Sequence, residues 1–361
     1  MPRVSPALAA VDVVVVGAGQ GGLATAHHLQ RAGLAPGRGF VVLDAEDAPG
    51  GAWRHRWPTL TMARVNGVHD LPGLSLHRAL GPVDPRAAAA EVVPAYFAAY
   101  EELLGRPVRR PVRVREVRAA GPRLLVATDG TTYAARAVVN ATGTWRRPFV
   151  PYYPGAGAFE GRQLHTADYR GPAELAGCRV VVVGGGVSAV QHLEELTGVA
   201  ATTWVTRREP EFVDPDAAGG LDVEARRAAV ARVAERVAAG RPPGSVVSAT
   251  GLVLTPELAA LRAAGALRRH PPFERVLPRG VRWADGAEQR ADVILWATGF
   301  RPVLDHLRPL HLREPGGGIL VEGTRAVREP RLHLVGYGPS ASTLGASRAA
   351  REAVREVLAL R

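Results

Sequence analysis

Two glycine-rich loops in the same strand–loop–helix–strand setting constrain the fold of this chain most strongly. The first loop begins at Gly17, after the apolar run Val11–Val16, and the second begins at Gly184, after Arg179–Val183. Short valine runs that end at glycine are typical of strands buried in a parallel sheet. The chain is therefore predicted to be α/β, with two Rossmann-like dinucleotide-binding domains.

The order of the elements predicts that one domain is inserted into the other. Two apolar runs, Ala137–Ala141 and Asp292–Ala297, both lead into Ala-Thr-Gly, and an amphipathic helix follows near the end of the sequence. We interpret the two Ala-Thr-Gly segments as the points where the chain leaves and re-enters the first domain. The first domain is then expected over residues 1–150 and 295–361, and the second over residues 151–294.

Composition excludes several classes of protein. Arginine supplies all 45 basic residues, and the net charge is +11. The arginines are scattered rather than gathered into one stripe, so we expect a solvated surface and no nucleic-acid partner. Cys178 is the single cysteine, which excludes a CxxC redox pair. Neither a signal peptide nor an apolar segment of transmembrane length is recognisable, so we expect a cytoplasmic protein without membrane contact.

The first loop has the residues that a dinucleotide site needs. Gly17 permits a tight turn, and Gly22 lets the following helix pack on the strand. Gly19 lets a pyrophosphate approach the backbone beside Gln20, at a helix N-terminus whose N–H groups attract anions. Asp44 ends the second strand and is expected to accept hydrogen bonds from ribose hydroxyls. The alternative is a glycine turn with a purely structural role.

The second unit differs from the first at the acidic position. Its loop keeps Gly186 and Ser188, but Arg207 and Arg208 stand where the first unit has Asp44. Guanidinium groups there would pair with a 2′-phosphate and favour NADPH over NADH by roughly ten- to a hundredfold. The second site is therefore predicted to bind NADPH, which leaves FAD for the first. The alternative is that both arginines are merely exposed after a strand.

A second glycine pair follows the first acidic residue. In the segment Gly50-Gly51-Ala52-Trp53, two glycines allow the backbone to approach a flat ligand. The indole of Trp53 can lie beside a flavin or its ribityl chain. Gly51 and Trp53 are therefore expected to bind the cofactor, and a core tryptophan in a loop is the alternative.

With these motifs the chain resembles the class B flavin-dependent monooxygenases, the flavin-containing monooxygenase group. The segment between the two loops fits that family's fingerprint FxGxxxHxxx(Y/F)(K/R) over Phe159–Arg170. The other matching segments occur in the family's order along nearly the whole chain: Gly17–Gly22, Gly50–Trp53 with Trp57-Pro58 after it, Asn140–Gly143, Gly184–Ala189, Ala297–Phe300 and Gly336–Pro339 with Thr343–Gly345 after it.

The resemblance implies an activity and a set of site residues. NADPH would reduce FAD, and the reduced flavin would take O2 to give a C4a-(hydro)peroxyflavin that oxygenates a small-molecule substrate. The fingerprint residues His165, Tyr169 and Arg170 form the catalytic set and are expected to organise the site rather than to transfer protons. The remaining cofactor-binding residues that it implies are Val114, Ala141, Thr142, Gly143, Thr298, Gly299 and Leu344. A homodimer that completes the site is left open.

Departures from the family pattern indicate the kind of oxygenation. Baeyer–Villiger members usually carry tryptophan at the position of Tyr169 and aspartate in the loop after the GGxW motif. Here that loop, Trp57–Ala63, has no aspartate. Oxygenation at nitrogen, sulfur or an activated carbon is therefore expected, with Baeyer–Villiger oxygenation of a ketone as the alternative. Asn66 is a further candidate for a hydrogen bond near the flavin edge.

Two other readings of the same motifs remain. A reductase would pass electrons from NADPH through FAD to a flavodoxin- or ferredoxin-type acceptor without inserting oxygen. A non-enzymatic flavin-binding protein would have lost its nicotinamide site, which the intact second loop and the two arginines after it argue against.

Overall fold

The structure is a computed structural model that describes residues 7–65, 67–213, 223–244 and 251–360. Its strands, numbered in chain order, are β1 Ala7–Val16, β2 Phe40–Leu43, β3 Val108–Arg109, β4 Val114–Ala120, β5 Arg123–Thr128, β6 Thr131–Asn140, β7 Arg162–His165, β8 Arg179–Val183, β9 Ala201–Val205, β10 Phe212–Val213, β11 Leu252–Val253, β12 Arg269–His270, β13 Arg275–Leu277, β14 Gly280–Arg282, β15 Glu288–Arg290, β16 Val293–Trp296, β17 Val321–Glu322, β18 Arg325–Ala326 and β19 Glu329–Leu334.

The α-helices connect the strands, and α1, α3 and α7 pack on one face of the first sheet. They are α1 Gln20–Arg31, α2 Leu76–Leu80, α3 Ala89–Leu103, α4 Val187–Leu196, α5 Val223–Ala238, α6 Pro256–Ala263 and α7 Thr343–Ala359. Within the described ranges, no helix is long and apolar enough to cross a membrane.

The first sheet is centred on β1 and has the strand order β17-β18-β19-β6-β1-β2-β3, with β5 on β6 and β4 on β5. β1 runs parallel to both β2 and β6. Its valines are buried on both faces, as the valine run predicted. Val13 and Val15 pack with residues of α1, α3 and α7, whereas Val14 and Val16 pack with β4, β5 and Leu304. The glycine loop after Val16 therefore lies at the carboxyl end of the central strand.

The second sheet is entirely parallel, with the order β12-β9-β8-β16-β7. Its edge strand β7 is the first half of the fingerprint, so that segment is part of the sheet rather than a free linker. The next strand, β16, pairs with β8 and β7 along Val293–Trp296. A domain boundary between residues 294 and 295 would cut this strand. We therefore propose two units whose second boundary follows Ala297.

The two connections between the sheets run side by side. The Phe149 N–H donates to the Gly299 carbonyl at 2.9 Å. The Arg301 N–H donates to the Arg147 carbonyl at 2.8 Å. Residues 143–149 and 299–303 thus form a hydrogen-bonded pair, which we call the paired connection. It is the part of the chain that joins the two sheets.

Helix α5 comes from the inserted stretch of sequence but packs on the first unit. Val237 is buried in the same cluster as Leu304 and Ile319. Just after the helix, the Gly240 carbonyl accepts a hydrogen bond of 2.9 Å from the Gly318 N–H. Residues 151–294 are therefore not packed solely around the second sheet, since the α5 segment lies against the first unit.

Candidate active site

The first glycine loop turns against the end of β6. Gly17 has φ +98°, and a Cβ on it would lie 2.6 Å from the Ala141 carbonyl oxygen, so a side chain is excluded. A Cβ on Gly22 would lie 1.8 Å from the Gly17 carbonyl oxygen. In contrast, a Cβ on Gly19 would meet no protein atom within 4 Å, and α1 begins after it without a side-chain cap. Open space in front of an uncapped helix N-terminus is an arrangement that binds phosphate.

Asp44 ties this loop to the end of β2. Its Oδ2 accepts a hydrogen bond of 2.6 Å from the Ala18 N–H, and its Oδ1 accepts one of 2.8 Å from the Glu46 N–H. The residue is buried. Because each carboxylate oxygen has a second lone pair, Asp44 can still accept from a ribose hydroxyl while it holds the loop.

The segment with Trp53 begins in contact with the same loop. Residues Gly51–His55 form a 3₁₀ helix, and a Cβ on Gly51 would lie 3.1 Å from the Gly19 Cα. Trp53 is partly buried and packs against the clusters of both units. The glycine pair and the indole are thus placed next to the phosphate-binding end of α1, as the cofactor interpretation requires.

The second glycine loop repeats the geometry of the first. A Cβ on Gly184 would lie 2.2 Å from the Ala297 carbonyl oxygen. Gly186 precedes α4 without a side-chain cap, and Ser188 is partly buried in the first turn of that helix. Arg207 and Arg208 are exposed just after β9. Among the described residues, no carboxylate pairs with either guanidinium, so both are available to an anionic ligand.

The two Ala-Thr-Gly segments hold the paired connection. Thr142 Oγ1 donates to the Val303 carbonyl at 2.7 Å. Thr298 Oγ1 donates to the Phe149 carbonyl. Thr142, which precedes residues 143–149, therefore bonds to the connection 299–303. Thr298, which precedes residues 299–303, bonds to the connection 143–149. Ala141, Gly143 and Gly299 lie in the same two turns, and their expected contacts with cofactors stay predictions.

His165 ends β7 and bonds to the paired connection. Its Nδ1 lies 3.1 Å from the Ala167 N–H, and its Nε2 lies 3.0 Å from the Gly299 carbonyl oxygen. Because an N–H can only donate, Nδ1 is the acceptor and the proton is on Nε2. Burial lowers the pKa of His165 below its usual 6.5, against opposing effects of the Gly299 carbonyl and the Asp168 charge. The imidazole is therefore neutral at pH 7, with both nitrogens engaged.

Tyr169 faces a carboxylate rather than a cofactor loop. Its hydroxyl donates to Glu195 Oε2 at 2.9 Å, and Thr59 Oγ1 donates to the same oxygen at 2.8 Å. Trp57 Nε1 donates to Glu195 Oε1 at 2.9 Å. Burial and the Glu195 charge raise the pKa of Tyr169, so the phenol stays protonated and keeps donating. This group of four, the Glu195 cluster, joins α4 of the second unit to the loop after Trp53 in the first.

The other expected site residues are more dispersed. Arg170 is exposed, and the structure does not bring its side chain together with those of His165 and Tyr169. Val114 begins β4, and Leu344 lies in the first turn of α7 with 37% of its surface exposed. Gln20 Nε2 lies 3.2 Å from Ser347 Oγ on α7, which links the first loop to that helix. Asn66 lies outside the described residues.

Sequence reasoning missed the polar residues of α4. His192 is fully buried, and its Nε2 lies 3.1 Å from Thr166 Oγ1. Its ring centre lies 4.4 Å from that of Tyr169. His192 and Glu195 are three positions apart, so they share one helix face. That polar pair, on a helix that follows a predicted glycine loop, was the available signal.

The two loops fit two dinucleotides, since each offers an uncapped helix N-terminus behind glycines that pack against the neighbouring backbone. The side chains that follow the second strand of each unit differ as the sequence predicted: a carboxylate follows β2, and two arginines follow β9. Among the described residues, no group of His, Cys, Asp or Glu is arranged to hold a metal ion.

Comparison with known proteins agrees with this geometry. A family model described as pyridine nucleotide-disulphide oxidoreductase matches residues 14–225. The solved structure of a flavin-containing monooxygenase from Stenotrophomonas maltophilia is 41% identical, covers 97% of this chain and 99% of its own, and has a TM-score of 0.81. An indole-3-pyruvate monooxygenase of Oryza sativa is 27% identical over 90% of this chain and 86% of its own length. A Baeyer–Villiger monooxygenase of Streptomyces coelicolor is 32% identical over 57% of this chain, which spans 39% of that protein.

These findings confirm the predicted α/β fold with two parallel dinucleotide-binding sheets, and they confirm the resemblance on which the cofactors were assigned. Since the chain has one cysteine, a redox disulfide within it is excluded, although the family model is named for that chemistry. The chain belongs to the flavin-containing monooxygenase family, and it is a flavin-dependent monooxygenase that uses FAD and NADPH.

Proposed function

We propose that this monooxygenase transfers one oxygen atom of O2 to a nitrogen, a sulfur or an activated carbon of a small molecule. The observation that carries the proposal is the Glu195 cluster. It engages Tyr169, where Baeyer–Villiger members usually carry tryptophan, and it engages Trp57 and Thr59 of a loop that has no aspartate. The loop therefore contributes donors to an internal carboxylate and brings no acidic side chain of its own.

The chain's own residues bind and orient the reactants. FAD and NADPH supply oxygen activation and the hydride. We assign the uncapped start of α1 and Asp44 to FAD, and the start of α4 with Arg207 and Arg208 to NADPH. Their placement at two separate helix N-termini supports this assignment.

His165 is assigned as a positioning residue rather than a proton donor or acceptor. Its Nδ1 accepts from Ala167 and its Nε2 donates to the Gly299 carbonyl, which leaves no free nitrogen. The neutral ring thereby fixes β7 to the paired connection. We infer that this bond keeps the two units in the relative position in which water is excluded from the reacting centre.

A second candidate is Baeyer–Villiger oxygenation of a ketone. The partial match to the Streptomyces coelicolor enzyme favours it. The match to an indole-3-pyruvate monooxygenase adds 2-oxo acids to the substrate classes that need testing.

A substrate screen with the FAD-loaded enzyme tests the proposal. NADPH consumption, H2O2 release and incorporation of ¹⁸O from ¹⁸O₂ are measured with a tertiary amine, a thioether, a 2-oxo acid and a cyclic ketone. We expect the amine, the thioether or the oxo acid to lower the H2O2 released per NADPH and to yield a labelled product. A labelled lactone from the ketone alone would establish the second candidate. Stoichiometric H2O2 with every compound would contradict both. Sedimentation of the same preparation tests the homodimer.

A further inference from the structure

Arg56, at the end of the 3₁₀ helix Gly51–His55, has a guanidinium without a counter-ion. Its Nε is buried and has no hydrogen-bond acceptor, and among the described residues no carboxylate pairs with the group. The neighbouring arginines differ. Arg54 pairs with Asp47 at 2.6 Å, and Arg146 pairs with Glu46 at 2.7 Å. Arg56 therefore differs from both of these neighbours, since no carboxylate of the described residues pairs with it.

Two indole rings form its surroundings. The Arg56 guanidinium carbon lies 4.7 Å from the centre of the Trp145 ring and 5.5 Å from that of Trp53. Cation–π contacts of this kind use no N–H donor of the guanidinium, so these groups stay available for hydrogen bonds. Burial lowers the pKa of Arg56 to about 10, so the side chain still carries its charge at neutral pH.

The position of this cation is at the junction of the two units. Gly51, which starts its 3₁₀ helix, touches Gly19 of the first glycine loop. On the other side, the Trp145 ring stacks on Phe300 with ring centres 4.7 Å apart. Phe300 belongs to the paired connection and lies 4.8 Å from the His165 ring. Arg56 therefore lies between the first glycine loop and the paired connection that leads to the second sheet.

We propose that Arg56 is the counter-charge for an oxyanion bound between the two units, either a phosphate of a dinucleotide or the carboxylate of a substrate. Arg56 is partly exposed, but its buried Nε–H has no acceptor, which destabilises the folded protein because that N–H is neither solvated nor hydrogen-bonded. An incoming oxyanion removes that penalty and accepts two parallel hydrogen bonds from the planar fork, a geometry that phosphate and carboxylate share.

The proposal predicts opposite effects on stability and on binding. Arg56→Met keeps the length of the side chain and removes the charge, so the FAD-free protein should melt at the same or a higher temperature than the parent. The dissociation constant of the ligand should rise about tenfold or more, the range expected for hydrogen bonds to a charged group. Arg56→Lys, which keeps the charge but not the fork, should give an intermediate value. Arg54→Gln, on the same helix, is the matched control and should leave the constants unchanged.

Two binding titrations and one kinetic comparison identify the source of the oxyanion. FAD binding to the apoprotein is followed by flavin fluorescence quenching, and NADP⁺ binding by the absorbance of the oxidised holoenzyme. Neither uses oxygen transfer, so they are independent of the proposed function. The third measurement rests on the proposed function. It compares the KM of a 2-oxo acid with the KM of its methyl ester, in the parent enzyme and in Arg56→Met. A rise in one of these constants in Arg56→Met, without loss of apoprotein stability, supports the proposal and names the ligand. No change in any of them, or an apoprotein melting temperature that falls as in a simple packing defect, would overturn it.

Discussion

The proton on Nε2 of His165 makes the hydrogen bond on which its positioning role depends. Its Nε2–H bonds to Gly299, so His165→Phe should keep the ring contact with Phe300 and lose that hydrogen bond. We expect FAD content to be retained while the H2O2 released per NADPH rises severalfold, because the units are held less firmly. His165→Gln keeps an N–H that can reach the same carbonyl and should restore most of the coupling. If His165→Gln leaks as much as His165→Phe, the imidazole has a role beyond positioning.

Arg207 and Arg208 are expected to select the cofactor. Both are exposed and unpaired within the described structure, so replacing them should not disturb the fold. The single variants Arg207→Gln and Arg208→Gln should each raise the KM for NADPH roughly ten- to a hundredfold, since one charge-assisted hydrogen bond to the 2′-phosphate contributes about 1.5–3 kcal/mol. The KM for NADH serves as the internal control and should stay within about twofold. Equal losses for both cofactors would contradict the assignment.

At the scale of elements, α4 carries a polar face that fixes it to the other unit. Glu195→Ala leaves the donors of Trp57, Thr59 and Tyr169 without their acceptor, which should cost about 2 kcal/mol of unfolding free energy. We also expect H2O2 release to rise, because this contact spans both units. Tyr169→Phe removes one of the three bonds and should lose about 1 kcal/mol. Chemical denaturation and the H2O2:NADPH ratio measure the two effects.

The neighbouring carboxylate on the same helix provides the control. Glu194, whose side chain is 15% exposed, pairs with the half-exposed Arg64 at 2.9 Å. Burial raises the pKa of Glu194, so the cost of desolvating its charge offsets much of the pairing. Glu194→Ala should therefore leave both unfolding free energy and coupling nearly unchanged. Equal effects of the two substitutions would mean that α4 responds to any loss of negative charge, and the hydrogen bonds of Glu195 would not be the cause.

The sequence predicted elements wherever local chemistry determines them. The valine runs of β1 and β8 and the glycines at the starts of α1 and α4 were recognisable, because burial on both faces and tight turns demand those residue types. The Glu195 cluster was not, since a glutamate on a helix is ordinarily solvated and only the approach of Trp57 and Thr59 from the other unit supplies its donors. Arg56 was not predicted either, because a single arginine near a tryptophan forms no recognisable sequence pattern.

At the scale of the whole molecule, four kinds of contact hold the two units together. The paired connection joins them covalently, His165 bonds β7 to it, and the Glu195 cluster fixes α4 to the loop that follows Trp53. Helix α5 crosses to the first unit through Val237. Because these contacts lie on different elements, loss of one leaves the others in place. Single substitutions in them should therefore alter coupling before they prevent folding.

Stability at acid pH is also a property of the whole molecule, because several histidine side chains are neutral in the folded protein. Burial lowers the pKa of His306 and of His333 from 6.5 to about 4. The unfolded chain binds these protons as the pH falls through 6.5, whereas the folded chain resists them until about pH 4. Stability is therefore fully present above pH 6.5 and declines between pH 6.5 and 4, by about 3 kcal/mol for each group.

Denaturant unfolding at pH 7, 6, 5 and 4.5 measures this decline. His333 is fully buried. His333→Gln should therefore reduce the slope of unfolding free energy against pH by the uptake of up to one proton, whatever it does to stability at pH 7. His77→Gln, at an exposed position of α2, is the control for the loss of a histidine as such. A parent protein whose unfolding free energy is constant from pH 7 to 4.5 would show that these histidines accept protons in the folded state. Their burial would then be less complete than the packing around β19 requires.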